Sequence, residues 1–182
     1  MIFGPKVVTL KDGRKAILRS PSVLDAEDLI AYLKATSSET EYMIRYPEEV
    51  NFTLEEEQEI LSQSLKEKRR IMISAIVDGK IVGNAGLSCI DEKIKLRHRA
   101  GIGIAVLKEA WNLGIGTAIL QEMLAIAGYM EYEQLELEVA ESNGKAIALY
   151  RKMGFVEYGK RDRGFRFKDG SYENDILMYR QL

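Results

Sequence analysis

The sequence predicts an α+β fold in which about four helices flank a twisted, mostly antiparallel central sheet. Three observations predict it. Asp-Gly pairs, which favour the tight turns of antiparallel hairpins, separate β-type segments at residues 12–13, 78–79 and 169–170. Capping residues or helical apolar spacing mark four other segments as helices. One of these helices connects segments 97–107 and 134–139, and a helical connection predicts parallel strands.

The first part of the chain predicts two strands, two helices and three further strands. Alternating or β-branched residues mark the strands, at residues 6–10, 14–19, 71–77, 80–90 and 97–107. Ser22 followed by Asp25 has the spacing of a capping box, which begins a helix that runs to about Ala35. Thr53 and Glu56 have the same spacing, which begins a second helix.

The second part predicts a helix, a strand, a helix and a final hairpin. From Ile115 onward the apolar residues recur at helical spacing, and Gln134–Val139 alternates leucine or valine with glutamate. A short helix over about Lys145–Lys152 ends before Gly154, a residue that favours helix termini. The last hairpin pairs Phe155–Arg166 with Ser171–Tyr179.

The composition is that of an ordinary globular protein. The length of 182 residues predicts one domain over residues 1–182, and the 46% hydrophobic and 30% charged fractions exclude a disordered or fibrous chain. The net charge of −2 argues against a nucleic-acid partner. No apolar run approaches the roughly 20 residues of a membrane span, and the charged N-terminus, broken by Gly4-Pro5, is unlike a signal peptide. We therefore expect a cytoplasmic protein with no membrane partner.

Cysteine and histidine are too few for several kinds of site. Cys89 is the only cysteine and His98 the only histidine. These counts exclude an internal disulfide, a multi-cysteine zinc site and a histidine-rich metal site. We therefore expect no metal.

The segment Val106–Leu120 places a glycine-containing turn between a strand and an amphipathic helix. A helix N-terminus leaves N–H groups unpaired at the positive end of the helix dipole, so it can bind phosphate through main-chain donors. Gly114 and Gly116 would let the backbone approach an anion closely. A dinucleotide-binding fingerprint fails because Ile119 stands where its third glycine is needed, and no P-loop sequence is present.

This turn resembles the acetyl-CoA-binding turn of the GNAT superfamily of N-acetyltransferases. The family pattern is Gln/Arg-x-x-Gly-x-Gly/Ala, and Gly114-Ile115-Gly116-Thr117 fits it. Trp111 stands where the family has arginine or glutamine, which removes one side-chain donor. The resemblance implies that main-chain groups here cradle the acetyl-CoA pyrophosphate. The residues concerned are Asn112, Leu113, Gly114, Ile115, Gly116 and Thr117.

A second motif, within Glu141–Phe155, resembles the same family more specifically. Its pattern Asn-x-x-Ala-x-x-Leu-Tyr-x-Lys-x-Gly-Phe is met by Asn143, Ala146, Leu149, Tyr150, Lys152, Gly154 and Phe155. One helix and one strand separate the two motifs, in the family's order, so the likeness covers essentially the whole chain. It implies a GNAT-type fold, in which the fourth and fifth main strands, 97–107 and 134–139, are parallel and splayed.

The resemblance also implies roles for individual residues. The strand near Val106 would supply an N–H that stabilises an oxyanion, and Ala105–Leu107 would pair with the pantetheine arm of acetyl-CoA. Asn143 would bond the pantetheine or nearby backbone, and Ala146 lies in the same cofactor-binding helix. Tyr150 occupies the position of the family's general acid. A phenol stays protonated at neutral pH, so it can protonate the departing CoA thiolate.

The base that takes the proton of the amine stays open among Glu39, Glu41, Glu136, Glu138, His98 and water. Residues 38–59 contain eight glutamates against Arg45 alone, a net charge of −7. This segment predicts either an acidic mouth for a cationic amine or a solvated face with acids in a first helical turn. Arg45 would suit a carboxylate, so polyamine-like and amino-acid-like acceptors are both open. Residues 145–168 carry a net charge of +6, which suits the phosphates of the cofactor.

The predicted function is acetyl-CoA-dependent N-acetylation of a small-molecule primary amine, by direct attack in a ternary complex. Residues 36–49 resemble the acceptor-side loop of bacterial small-molecule members of the family. One alternative is acetylation of the N-terminus of a ribosomal protein or peptide. Another is a non-catalytic, acyl-CoA-binding regulatory domain, against which Tyr150 argues because a binder needs no acid. The resemblance leaves a homodimer open, since dimers are common in the family.

Overall fold

The computed structural model describes all residues from 1 to 182, and its element order confirms the predicted one. The strands are β1 (Lys6–Thr9), β2 (Lys15–Arg19), β3 (Arg70–Val77), β4 (Lys80–Cys89), β5 (Arg99–Val106), β6 (Gln134–Ala140), β7 (Val156–Arg166) and β8 (Tyr172–Gln181). The helices are α1 (Ala26–Glu39), α2 (Leu54–Lys66), α3 (Ile115–Tyr129) and α4 (Gly144–Lys152).

All eight strands belong to one sheet, in the order β1-β2-β3-β4-β5-β6-β8-β7. β5 and β6, the predicted fourth and fifth main strands, are parallel, while the hairpins β1–β2, β3–β4 and β7–β8 are antiparallel. The parallel ladder joins Arg99–Gly101 to Gln134–Glu136 and ends there, although both strands continue. The structure therefore confirms the predicted α+β fold with a mostly antiparallel sheet.

The tight turn between β3 and β4 shows why an Asp-Gly pair predicts a hairpin. Asp78 and Gly79 both have positive φ angles, of 50° and 80°. Two consecutive left-handed residues give the turn a twist that matches the twist of the flanking strands. Glycine adopts this conformation freely, and aspartate is among the few other residues that tolerate it.

α1 ends later than the sequence predicts. The predicted capping box at Ser22 and Asp25 is present, but it caps a short 3-10 turn that leads into α1. The helix then runs past Ala35 to Glu39. The hydroxyl of Thr36 donates to the Tyr32 carbonyl at 3.0 Å, so this polar residue is satisfied within the helix and does not end it.

β5 begins at Arg99, two residues later than predicted. The N–H of Arg97 donates to the Lys93 carbonyl at 2.9 Å, which closes a turn immediately before the strand. The predicted strand over 97–107 therefore loses its first two residues to this turn, and His98 lies in the turn and is half-buried.

The chain divides into two compact units, and β5 has residues in each. The first unit contains Met1–Ser88 and Gly103–Met123, and the second contains Cys89–Ile102 and Leu124–Leu182. The core of the first unit includes Leu29, Tyr32 and Leu61 from α1 and α2, with Ala105 and Leu107 packed against them. In the second unit the fully buried side chains include Leu135, Phe155 and Met178. None of the helices combines the length and apolar character that crossing a bilayer requires.

Candidate functional site

The glycine turn between β5 and α3 is left-handed at two positions. Asn112 has a φ of 64° and Gly114 a φ of 96°, and α3 begins at Ile115. The value at Gly114 is one that side-chain-bearing residues rarely adopt, so this position requires glycine. Asn112 adopts the conformation because asparagine tolerates it better than most residues. The Leu113 carbonyl between them accepts from the Lys11 N–H at 3.1 Å, which ties the turn to the β1–β2 loop.

The start of α3 offers main-chain donors to an anion. Ala118 makes the first helical hydrogen bond, donating to the Gly114 carbonyl at 3.0 Å. The N–H groups of Ile115, Gly116 and Thr117 therefore have no helical acceptor, and they lie at the positive end of the helix dipole. This donor set fits a pyrophosphate, because it needs only main-chain groups and a backbone that can come close.

A glycine in β4 lets α3 begin close to the sheet. A Cβ at Gly83 would lie 3.2 Å from Cγ2 of Ile115 and 3.5 Å from the Ala105 carbonyl oxygen. A side chain at Gly83 would therefore require Ile115, at the start of α3, to shift by a few tenths of an ångström. The sequence signals this contact only as a glycine inside a strand, which is typical of a close backbone approach.

A cavity of about 360 Å³ lies beside the turn. It is lined by Ala110 and Leu113 on the side of the turn and by Arg14 and Lys80 among the charged residues. Arg14 pairs with Asp12, with 2.8 Å between Nε and Oδ2. The cavity gives this end of the first unit room for a ligand next to the main-chain donors.

Trp111, the departure from the family pattern, binds main chain. Its indole N–H donates to the Val106 carbonyl at 2.6 Å. The side chain therefore links the end of β5 to the glycine turn that follows it. An arginine or glutamine here would offer its donors elsewhere, whereas Trp111 uses its single donor within the protein.

The predicted pantetheine-binding segment, Ala105–Leu107, has several of its main-chain groups engaged within the protein. The Tyr32 hydroxyl donates to the Ala105 carbonyl at 2.7 Å, and the Leu107 N–H donates to the Val82 carbonyl at 2.9 Å. A carbonyl oxygen has a second lone pair, so Ala105 and Val106 can each still accept from a ligand. Leu107 has no further main-chain donor to offer.

α1 supports this segment through Tyr32 and Glu39. The sequence indicates this supporting role for neither residue. Tyr32 is buried, and burial raises the pKa of its phenol well above the usual range. Glu39, at the end of α1, accepts from the Lys108 N–H with Oε2, at 2.8 Å. The only sequence signal for Tyr32 is its place on the apolar face of α1, and a core role is the common meaning of that signal.

The second motif forms α4, and two of its predicted residues cap that helix. Asn143 is the N-cap, and its Oδ1 accepts from the Ala146 N–H at 3.2 Å. This bond satisfies one of the free N–H groups of the first turn. The structure therefore assigns Asn143 and Ala146 a structural contact within α4, and a bond from Asn143 to the pantetheine or its neighbouring backbone stays a prediction.

Tyr150 is buried on α4, with 6% of its surface exposed. Its ring packs edge-to-face against Phe155, with 5.8 Å between ring centroids. The hydroxyl makes no hydrogen bond to the protein, and burial raises the pKa of the phenol to about 12. Tyr150 therefore presents a neutral proton donor that no other group of the protein uses.

Two of the predicted base candidates are held in ion pairs. Arg99 binds both carboxylate oxygens of Glu136, and Arg161 binds both of Glu138 at 2.8 Å. These hydrogen bonds lower the pKa of each glutamate. A carboxylate with a lowered pKa is a weaker base, so this geometry favours neither of them.

The acidic segment, residues 38–59, uses many of its carboxylates within the chain. Glu49 accepts from the Tyr46 N–H and Glu56 from the Thr53 N–H, both at 2.8 Å, and Glu59 accepts from Gln63. Capping accounts for Glu49 and Glu56, and further bonds within the chain hold Glu39 and Glu59, as the solvated-face interpretation expects in part. Glu41 is exposed.

The basic segment, residues 145–168, is likewise largely paired. Arg151 pairs with Glu157. Lys160 pairs with Glu141 at 2.7 Å, and Arg161 spans Glu138 and the buried Asp175. The net charge of the segment therefore overstates the cations that are free to meet cofactor phosphates.

The predicted site residues fall into both compact units. Ala105–Leu107 and Asn112–Thr117 belong to the first unit, together with Glu39 and Glu41. Asn143, Ala146 and Tyr150 belong to the second, as do the remaining predicted base candidates Glu136, Glu138 and His98.

Comparison with known proteins points to one family. The sequence model of the Acetyltransferase (GNAT) family matches residues 32–155. The crystal structure of a GNAT-family acetyltransferase from Streptococcus pneumoniae has the same fold, with a TM-score of 0.87 and 28% identity, over 92% of this chain and 99% of that one.

Two curated relatives carry acetyltransferase names. The chain is 38% identical to an N-alpha-acetyltransferase of Sulfurisphaera tokodaii, over 52% of this chain and 62% of the relative. It is 28% identical to an L-amino acid N-acetyltransferase of Escherichia coli, over 58% of this chain and 65% of the relative. It thus spans less than two thirds of the length of either. Because the family model matches most of the chain and both predicted motifs lie within it, the protein belongs to the GNAT acetyltransferase family.

Proposed function

We propose that residues 1–182 act as one domain that transfers the acetyl group of acetyl-CoA to a primary amine of a small polyamine-like or amino-acid-like molecule. The amine attacks directly, with both substrates bound. The observation that carries this proposal is the buried side chain of Tyr150, whose hydroxyl makes no hydrogen bond within the protein and stays protonated at neutral pH. A protein that only binds acyl-CoA has no use for such an acid.

The first unit supplies the cofactor-binding groups in this proposal. Acetyl-CoA supplies an acetyl group activated as a thioester. The free N–H groups at the start of α3 bind its pyrophosphate, and the left-handed turn at Gly114 aims them. The Ala105 and Val106 carbonyls accept from the pantetheine amides through their second lone pairs. Tyr32 and Trp111 hold those carbonyls in place.

Tyr150 provides the proton that the departing sulfur needs. An amine that attacks must first be neutral, and the sulfur leaves with the electron pair of the broken carbon–sulfur bond. Tyr150 gives its proton to that sulfur and recovers one from solvent. The buried ring contact with Phe155 fixes where the hydroxyl lies.

We further propose Glu39 as the group that accepts the proton of the amine, directly or through a water. Glu136 and Glu138 are engaged by arginines, whereas Glu39 uses one oxygen on the Lys108 N–H and keeps the other. That hydrogen bond holds the carboxylate beside the segment that follows β5. A carboxylate fixed by one oxygen can still accept a proton on the second.

N-terminal acetylation of a peptide is the second candidate function. The relative named N-alpha-acetyltransferase, at 38% identity, is the observation that favours it. The L-amino acid N-acetyltransferase at 28% identity favours the small-molecule acceptor instead. The two functions require the same cofactor site and differ only in what presents the amine.

An amine screen tests the proposal. The protein is incubated with acetyl-CoA and polyamines, free amino acids, aminoglycosides or peptides with free N-termini, and release of CoA thiol is measured. We expect thiol release that depends on a small amine. Preferential reaction with peptides would replace the small-molecule proposal by N-terminal acetylation. Thermal stabilisation by CoA with no thiol from any amine would establish the binding-only alternative.

A further inference from the structure

Arg45 has no ion-pair partner in the most acidic part of the chain. It lies in the connection between α1 and α2, where residues 38–59 contain eight glutamates and no other base. Its guanidinium is exposed and lies over the ring of Phe52, with 5.7 Å from the central carbon to the ring centroid. An aromatic ring orients a guanidinium and leaves its N–H groups free to bind an anion.

Several carboxylates of this segment are bonded to backbone groups and not to Arg45. Glu39, Glu49 and Glu56 each accept from a backbone N–H, at 2.8 Å in every case. Arginine in such surroundings would ordinarily be neutralised by an adjacent acid. An arginine that stays free among eight glutamates is available for the anion of a ligand.

Glu57 is the complementary feature in the same region. It is 4% exposed, on the buried face of α2 with Leu61 and Ser64, and its carboxylate makes no hydrogen bond or ion pair within the protein. Burial raises the pKa of the Glu57 carboxyl, and the positive charge of Arg45 acts in the opposite direction with a smaller effect. A buried carboxylate without a donor is costly unless something binds it.

The connection that carries Arg45 begins beside the cofactor segment. Glu39, the last residue of α1, is bonded to the N–H of Lys108, which follows the end of β5. Residues 40–53 leave from that bond and lead to α2. Leu61, one turn after Glu57 on the buried face of α2, belongs to the core cluster against which Ala105 and Leu107 pack. Glu57 therefore lies on the side of α2 that faces the proposed cofactor-binding segment.

We propose that Arg45 and Glu57 form an acceptor subsite for an amine that also carries a carboxylate, as an amino acid does. Arg45 binds the carboxylate of the acceptor, and Glu57 receives its ammonium group as the acceptor enters. This inference rests on the proposed acetyl transfer and narrows its substrate class. A polyamine offers Arg45 no anion and is repelled by it, so the subsite selects against polyamines.

Matched pairs of acceptors test the substrate class. Lysine is compared with 1,5-diaminopentane and phenylalanine with phenethylamine, since each pair differs by the carboxylate alone. We expect kcat/KM to be at least about tenfold higher for the carboxylate-bearing member, as for one charge-assisted hydrogen bond. Arg45→Ala should raise KM for the amino acids about 10- to 100-fold, with kcat and the affinity for CoA unchanged. Arg45→Lys should recover part of the loss.

Arg166→Ala is the matched control, because that guanidinium also lies over an aromatic ring, 5.9 Å from the centroid of Tyr172. The Arg166→Ala variant should keep the preference for acceptors that carry a carboxylate. Glu57→Gln should weaken binding of the free amino acid while sparing its N-acetylated form, which keeps the carboxylate and lacks the ammonium. Arg45→Ala should weaken both.

Calorimetry with CoA-saturated protein and the free amino acid separates this inference from the proposed function, since it needs no turnover. If polyamines are better acceptors and Arg45→Ala changes nothing, the subsite is wrong while acetyl transfer stands. If no amine releases thiol but Arg45→Ala abolishes amino-acid binding, the subsite stands and acetyl transfer is wrong. If neither transfer nor binding occurs, both are overturned.

Discussion

The two motifs that identify the family work by different physical means. The turn at Asn112–Thr117 acts through main-chain N–H groups, which are aimed by left-handed residues at Asn112 and Gly114. The α4 motif places one side-chain hydroxyl, that of Tyr150, in a buried position. The first depends on backbone conformation and the second on the identity of a side chain.

This difference explains where the sequence departs from the family pattern. Trp111 replaces arginine or glutamine next to the turn, and its donor binds the Val106 carbonyl. The tryptophan at position 111 does not alter the N–H groups at the start of α3, because these are main-chain groups that do not depend on the side chain at 111. Within the α4 motif every specified position is met, from Asn143 to Phe155. A site made from main chain tolerates replacement of a flanking side chain such as that of residue 111, provided that its left-handed glycine is kept, whereas a site made from a side chain depends on that residue itself.

Tyr150→Phe should have the largest effect on turnover and should not change the main-chain cofactor site at the start of α3. We expect kcat to fall about 10- to 10³-fold, because the acid for the departing thiolate is lost while the ring packing is kept. The affinity for acetyl-CoA should change little. Steady-state kinetics with calorimetric CoA binding measure both. Tyr129→Phe is the control, since Tyr129 is 80% exposed on α3. Unchanged turnover in Tyr150→Phe would remove this residue from the mechanism.

Glu39→Gln separates a side chain's chemistry from its support of the backbone. Glutamine keeps an oxygen for the Lys108 N–H but cannot take a proton at neutral pH. We expect kcat to fall at least about tenfold with thermal stability unchanged. Glu41→Gln, two residues along and exposed, should have normal turnover. If both variants turn over normally, the base is water or another group.

Gly114→Ala tests the backbone motif. An alanine at a φ of 96° is strained by about 1–2 kcal/mol, so the free turn relaxes and CoA binding must restore it. We expect the Kd for CoA to rise about tenfold. Gly128→Ala, in α3 with no atom within 4 Å of the added Cβ, should leave the Kd unchanged and raise stability slightly. Equal CoA affinity in the two variants would contradict a role for the left-handed turn.

Asn143→Ala should act on stability rather than on chemistry. Loss of the N-cap bond to Ala146 should cost about 1 kcal/mol of unfolding free energy, which lowers Tm by about 2–4 °C for a chain of this size. Asn143→Asp keeps an accepting oxygen and should restore most of the loss. A large fall in CoA affinity without a fall in Tm would show that Asn143 binds the cofactor instead.

The alkaline pH profile should show the smallest effect. Burial raises the pKa of Tyr150 to about 12, so the neutral acid persists as the pH rises and is lost only near that value. We expect no decline of kcat from this residue between pH 7 and 10.5. A decline with an apparent pKa near 10 that vanishes in Tyr150→Phe would mean that the hydroxyl is more solvated than the structure shows.

Local patterns were sufficient for the order of the elements and for their caps. The Asp78-Gly79 hairpin and the capping boxes of Ser22 and Thr53 each depend on a few adjacent residues, so the sequence predicts them directly. The resemblance located the glycine turn and Tyr150 in the same way. These features require no knowledge of distant partners.

Contacts between distant residues could not be predicted. The bond from Tyr32 to the Ala105 carbonyl joins residues 73 positions apart, and only the fold brings them together. Glu138 looks like a free base in the alternating pattern of its strand, but Arg161 of another strand binds it. The charge of residues 38–59 misled in the same way, because several of its carboxylates are bonded within the chain, two of them in helix caps.

Trp111 is the only tryptophan in the chain, and its indole is bonded to the strand end that leads into the glycine turn. Its fluorescence therefore reports from a single known place. Any ligand that shifts Val106 or the start of α3 will change the emission, without a label and without turnover. The residue that breaks the family pattern thus makes occupancy of this turn observable in real time, even in variants that have lost all chemistry.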